Sequence, residues 1–191
     1  MDYLLFDDMA QCTEAEVARL LPLVSVQRRE QALRYKHTFG QYTCLKSYLM
    51  LIDLLRRNNL LQDTQLPEFV YNTYGKPYIA DGVEFSLSHC KAAIVVAIDT
   101  APIGVDIEGF RHIDESLIRR TMNPAEVAHI LSSTRPNVAF THLWTQKEAV
   151  LKQRGTGIVS DLHDVLTTPP LPHLATIERE NYIYTLATKQ E

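Results

Sequence analysis

Helical and extended textures alternate in two long blocks along this chain, and that order limits the fold more than any single motif. Thr13 followed by Glu16 has the form of a capping box and predicts a helix from Thr13 to about Pro22. VQRREQALRYKH predicts a second helix with a basic face carrying Arg28, Arg29, Arg34 and Lys36. From about Gln41 to Arg57, Leu45, Tyr48, Leu49, Ile52 and Leu55 recur at helical spacing, and Asn58 and Asn59 end the run. DYLLFDD opens the chain as a short strand; PEFVYN, VEFSLSH, AAIVVAID and IGVDIE follow the long helix as further extended segments, bounded by turn residues. Helices return after Arg111. Asn123-Pro124-Ala125-Glu126 joins a capping Asn, a proline at the first helical position and a Glu that closes the box. A second long helix spans about Asn137 to Gln153 and stops at Gly155, and TIERENYIYTLATK reads as a hairpin turning near Glu180 and Asn181.

Helices then strands, twice over, is an α+β order and argues against a regular βαβ alternation. The two halves, 1–99 and 100–191, show no sequence repeat, yet each has one long helix and a small, mostly antiparallel sheet. No low-complexity linker separates them, so they are expected to pack as one globular unit with a cleft between. At 191 residues and 46% apolar content the chain is long enough to bury a real core. Its net charge of −4 is a poor match for nonspecific nucleic-acid binding, which needs many Lys and Arg to displace counterions. Cys12, Cys44 and Cys90 are too widely spaced for a zinc motif and fit free thiols in a reducing compartment. MDYLLFDDMA lacks the positive start of a signal peptide, and no apolar run is long enough to span a bilayer. The expectation is a cytoplasmic monomer.

Three stretches carry candidate chemistry. In IGVDIE, strand alternation puts Asp106 and Glu108 on one face and Val105 and Ile107 on the other. Two neighbouring carboxylates suit either a solvated edge or a hard divalent cation, and Gly104 leaves room for a ligand or another backbone. In WTQKEAVLKQRGTG, Trp144, Glu148 and Lys152 share a helix face. Glu148 and Lys152 form either an ordinary helical ion pair or a third carboxylate and a phosphate-neutralising cation. FSLSHC places Ser88 and His89 at a strand end, where adjacent side chains diverge and no nucleophile elbow surrounds the serine. The pair reads as a phosphate cradle or as a structural strand end. Lys76 sits on the Tyr74-Gly75-Lys76-Pro77 turn.

The order GKP, F-x-x-SH, IGVDIE, W-T-x-KE-x-x-x-K, over roughly Ser25 to Gly157, resembles the 4′-phosphopantetheinyl transferases of the surfactin-synthetase-activating type. The resemblance implies a pseudo-dimer of two similar halves with the active site between them. It implies transfer of the phosphopantetheine arm of coenzyme A to a serine of an apo acyl or peptidyl carrier protein, with release of adenosine 3′,5′-bisphosphate. Asp106, Glu108 and Glu148 match the ligands of Mg²⁺, for which Mn²⁺ can substitute. Glu148 also matches the base, and Lys152 the lysine that helps the leaving phosphate depart. Arg28, Lys76, Ser88 and His89 match coenzyme A contacts, with Arg28 near the 3′-phosphate. Neither nucleic acid nor a membrane is an expected partner. The chain departs from many relatives at Tyr42-Thr43-Cys44, where an arginine is common, and at Cys90, where a serine is common. A non-catalytic coenzyme A or carrier-binding module and a metal-dependent nucleotide phosphohydrolase are the alternatives. Phe110, Ile118, Arg119, Arg120 and Met122 are the expected carrier-docking surface by position and composition.

Overall fold

A computed structural model describes residues 1–80, 82–157 and 162–190. The first half runs β1 (Asp2–Phe6), α1 (Glu14–Leu20), α2 (Val26–Leu33), α3 (Thr38–Arg57), β2 (Val70–Tyr71), β3 (Pro77–Tyr78), β4 (Glu84–His89) and β5 (Ile94–Asp99). The second runs β6 (Gly104–Gly109), α4 (Glu115–Thr121), α5 (Pro124–Ser132), α6 (Pro136–Arg154), β7 (His173–Glu178) and β8 (Tyr182–Thr188). Short 3-10 turns flank α1. Among the described residues the strands form two antiparallel three-stranded sheets, ordered β1-β5-β4 and β6-β8-β7, and a separate two-stranded β2-β3 ribbon. The α+β reading therefore holds.

Several boundaries differ from the sequence reading, each for a local reason. The Thr13 box is half formed: Thr13 caps the Glu16 amide, but the Glu16 carboxylate pairs with Arg19 instead of turning back. α2 stops at Leu33, leaving Tyr35, Lys36 and His37 outside it, and PEFVYN contributes only Val70 and Tyr71 to a strand. The Asn123 box is complete, with Asn123 accepting from the Glu126 amide and Glu126 accepting from the Asn123 amide. Gly155 ends α6 in the left-handed region at φ 69°, where a glycine costs least.

β5 explains why AAIVVAID is apolar throughout. Ile94, Val96 and Ile98 face α3, joining Leu45, Tyr48 and Leu51 in one core. Val95 and Ala97 face the other way and meet Val105, Ile107, Tyr184 and Leu186 of the second sheet. A strand buried on both faces needs no polar alternation. The layers are therefore α3, first sheet, second sheet and α6. Between the sheets, the edge strands β4 and β6 meet without a backbone ladder. Ser86 Oγ accepts from the Val105 amide at 3.0 Å and Ser88 Oγ from the Ile107 amide at 3.3 Å. Two serine hydroxyls thus satisfy amides that an edge strand would otherwise leave open.

Two features fix α6 in place. At Gly104 the helix backbone comes so close that an added Cβ would lie 1.9 Å from the Ala149 carbonyl oxygen and 2.4 Å from the Gln153 nitrogen. The room at Gly104 is thus taken by helix backbone. The second feature is Lys147, only 1% exposed. Its ammonium donates to Glu126 Oε2 at 2.7 Å, the Leu162 carbonyl at 2.7 Å, the Thr121 carbonyl at 3.2 Å and the His163 carbonyl at 3.3 Å. It ties α6 to the end of α4, the cap of α5 and the segment after α6. Glu126 therefore serves both the cap and this ion pair.

Two stability predictions follow from these contacts. Gly104→Ala meets backbone on the facing side, so α6 must shift; a cost of about 1–3 kcal/mol or more is expected as a lowered thermal midpoint. Lys147→Met keeps the side-chain stem but leaves Glu126 with a buried uncompensated charge, costing about 3–5 kcal/mol in denaturant unfolding.

Candidate active site

On β6, Val105 and Ile107 enter the inter-sheet core, which turns Asp106 and Glu108 to the opposite face, toward α6. The face is consistent across the sheet: Asp106 lies opposite Thr185 of β8, and Thr185 Oγ1 meets Thr145 Oγ1 of α6 at 2.9 Å. α6 then delivers Glu148 and Lys152, one turn apart, to the same place.

Asp106 is 4% exposed, which removes the solvated-edge reading for it. Its Oδ1 accepts from Lys152 Nζ at 2.6 Å and from Ser88 Oγ at 2.9 Å. Lys152 thus reaches across to β6, so the plain helical-pair reading does not describe it. Asp106 Oδ2 is buried with no hydrogen-bond partner. Glu108 and Glu148 are half-buried, and both carboxyls are held above the usual carboxylate range. For Glu108 the causes are burial and then the charge of Asp106, offset by Arg111, Trp144 and Lys152. For Glu148 they are burial and then Asp106, with Lys152 offsetting and Glu108 adding to the repulsion. The three acids form one electrostatic group. Among the described residues, no three His, Cys, Asp or Glu side chains close tightly enough to hold a metal by themselves.

Ser88 is the hub beside this group. Its hydroxyl donates to Asp106 and accepts from Lys152 Nζ at 2.9 Å and from the Ile107 amide. His89, at the exposed end of β4, lies 5.8 Å from the Phe39 ring. Crowding by surrounding protein, then the charges of Lys152 and Arg28, hold its pKa below the ordinary histidine value, against the pull of Asp106. Lys76 Nζ meets Glu84 at 3.2 Å and the Ile103 carbonyl at 3.4 Å. It lines a cavity of about 270 Å³ with Tyr74, Ser86, Glu148, Leu151 and Lys152, so both halves of the chain form its walls.

The sequence reading places other residues differently. Arg28 belongs to a basic face by pattern but is 7% exposed. Its guanidinium donates to the Cys44 carbonyl, Gln31 and Ser47 and lies 5.1 Å from the Phe69 ring centre. This clamps α2 onto α3. Thr43, where an arginine is common in the resembled family, is 1% exposed and bonds back to the Phe39 carbonyl. The docking surface needs correction. Ile118 and Met122 are buried with Val127, Ile130 and Phe140, because the short amphipathic α4 must cover the core with its only apolar face. Phe110 is half-buried, and Arg119 and Arg120 remain exposed.

Two residues of the site region were not singled out by pattern. Lys147 precedes Glu148 and so points about 100° away from it around the helix, into the second half. Asn72, three residues before Gly75, had the turn signature of a side chain that bonds its own backbone.

The family profile described as "4'-phosphopantetheinyl transferase superfamily" matches residues 102–186. The chain is 33% identical over 154 residues to "4'-phosphopantetheinyl transferase ffp" of Bacillus subtilis, covering 76% of this chain and 66% of that one. It is 28% identical over 150 residues to "4'-phosphopantetheinyl transferase Sfp" of Bacillus subtilis strain 168, with the same coverage of 76% and 66%. The chain thus spans just under two thirds of the length of these relatives. Among solved structures, Thermotoga maritima holo-[acyl-carrier-protein] synthase aligns over 48% of this chain and 65% of its own, at 17% identity and a TM-score of 0.38, too weak a likeness to bear on the argument. The profile covers the strand of acids and the helix laid over it, the Bacillus relatives extend the match into the first half, and over these spans the chain is similar to the 4′-phosphopantetheinyl transferase superfamily.

Proposed function

We propose that this protein transfers the phosphopantetheine arm of coenzyme A to a serine hydroxyl of an apo acyl or peptidyl carrier protein. The observation that carries the reading is a buried Asp106 with one unpartnered oxygen, grouped with Glu108, Glu148 and Lys152 beside a cavity walled by both halves. In this reading the chain is a cytoplasmic monomer built as a pseudo-dimer, with 1–99 on the coenzyme A side and 100–191 carrying the acids and their helix.

The donor set fits a hard divalent cation. It is all oxygen, it includes the orphaned Asp106 Oδ2, and its members repel one another unless a positive charge stands between them. Asp106, Glu108 and Glu148 would hold Mg²⁺, or Mn²⁺, jointly with phosphate oxygens and water. The ion would supply charge neutralisation at the pyrophosphate.

The chain's own residues supply the rest. Phosphoryl transfer is catalysed mainly by positioning and by neutralising charge. The carrier serine oxygen forms a bond to the β-phosphorus of coenzyme A, and the bond from that phosphorus to the bridging oxygen breaks. Adenosine 3′,5′-bisphosphate leaves. Glu148, one helical turn from Lys152 and in the same group of acids, takes the serine proton. Lys152 steadies the charge on the departing phosphate. Lys76 and His89 line the approach of the phosphates. Ser88 and Arg28 join them by exchanging the partners they now hold.

The test is to mix the protein with apo carrier protein, coenzyme A and Mg²⁺ and to weigh the carrier. One phosphopantetheine arm should be gained, lost with EDTA and lost with Asp106→Ala. Glu148→Gln should lower turnover about 100-fold or more while leaving coenzyme A binding within a few fold. No gain on several unrelated carriers sinks the reading. Release of nucleotide without a carrier would then favour a phosphohydrolase, and coenzyme A binding alone a non-catalytic module.

A further inference from the structure

Asn72 lies in the turn between β2 and β3, and its half-buried side chain is used at both ends. Oδ1 accepts from the Tyr74 amide at 2.9 Å and from the Lys76 amide at 2.9 Å, shaping the turn that presents Lys76. Nδ2 donates to the Gly155 carbonyl at 2.9 Å, across 83 residues of sequence. Gly155 caps α6, three residues after Lys152 and seven after Glu148. A Cβ at Gly155 would lie 3.3 Å from Lys76 Cδ and 3.4 Å from Asn72 Nδ2, so the approach leaves no slack. Tyr74, Lys76, Glu148, Lys152 and Gly155 all line the one cavity.

We propose that Asn72 is a positioning residue, a clasp that holds the Lys76 turn in register with the end of α6 that carries Glu148 and Lys152. It touches no substrate. It acts by setting the distance between the wall that receives coenzyme A and the wall that reacts with it, so the inference rests on the function proposed above. A turn residue alone would need only the Oδ1 acceptor. The Nδ2 bond is surplus to the turn, and it is the one side-chain hydrogen bond recorded between this turn and α6 among the described residues. Misplacing reacting groups by about 1 Å can cost roughly 100-fold in rate, so such a clasp has kinetic weight.

Asn72→Asp separates the two roles. It keeps the acceptor for the Tyr74 and Lys76 amides, removes the donor to Gly155 and faces a carboxylate toward that carbonyl. The clasp predicts amide hydrogen exchange in residues 151–155 faster by about tenfold in Asn72→Asp, the size expected for one lost hydrogen bond. It also predicts kcat for arm transfer lower by at least about tenfold, with the thermal midpoint close to that of the unaltered protein. Asn72→Ala, which loses the turn acceptor as well as the donor, should show effects at least as large in both readouts. Unaltered exchange at 151–155, or unaltered kcat with Asn72→Asp, overturns the proposal and leaves Asn72 a turn residue. A fall in kcat that only follows a fall in thermal midpoint overturns it too. If the unaltered protein transfers no arm, the proposed function fails, and the exchange measurement still decides whether the clasp exists.

Discussion

The close approach of α6 to β6 at Gly104 is the contact on which the site depends. A strand and a helix normally keep side chains between them, but here the helix backbone comes within reach of the position a Cβ would occupy. That closeness puts Lys152 Nζ 2.6 Å from Asp106 and brings Glu148 into the field of both strand acids. A helix standing one side-chain layer further off would leave Asp106 and Glu108 as two strand acids without a third. Lys147 holds the same helix from its other side, so α6 is fixed between a tight glycine contact and a buried ammonium.

The two lysines of α6 divide the work by direction. Lys147 is spent inside the second half on Glu126 and three carbonyls. Lys152 sits against Asp106 and Ser88, at the wall of the cavity. Burying carboxylates is costly, and here one cation and one hydroxyl serve a single oxygen of Asp106 while the other oxygen has no partner. Burial first, and the charge of Asp106 second, hold the pKa values of Glu108 and Glu148 above the ordinary carboxylate range. An arrangement with this much unneutralised charge is unusual for a purely structural network, which tends to satisfy its members.

Much of the site was legible because alternation and helical spacing are short-range rules. Asp106 and Glu108 had to share a face once IGVDIE was a strand, and Glu148 and Lys152 once their segment was a helix. The Asn123 cap and the Gly155 stop were equally local. Arg28, Ile118 and Met122 were placed differently because exposure is not a local property. A basic helix turns an arginine inward when a neighbouring helix offers carbonyl and hydroxyl acceptors, as Cys44 and Ser47 do. A short helix buries its apolar residues when it is the lid of a core.

By itself the sequence determined which side chains could act together within one element, since the periods of helix and strand are set by backbone geometry. It also determined the α+β order, because the apolar patterns change from one period to the other at visible breaks. Only the tertiary structure decided which elements face one another: that Gly104 receives helix backbone, that Ser88 serves Asp106, that Asn72 meets Gly155. Those pairings lie 18 to 83 residues apart in the chain. They follow from packing density and from the need to satisfy each buried polar group, which no local pattern encodes.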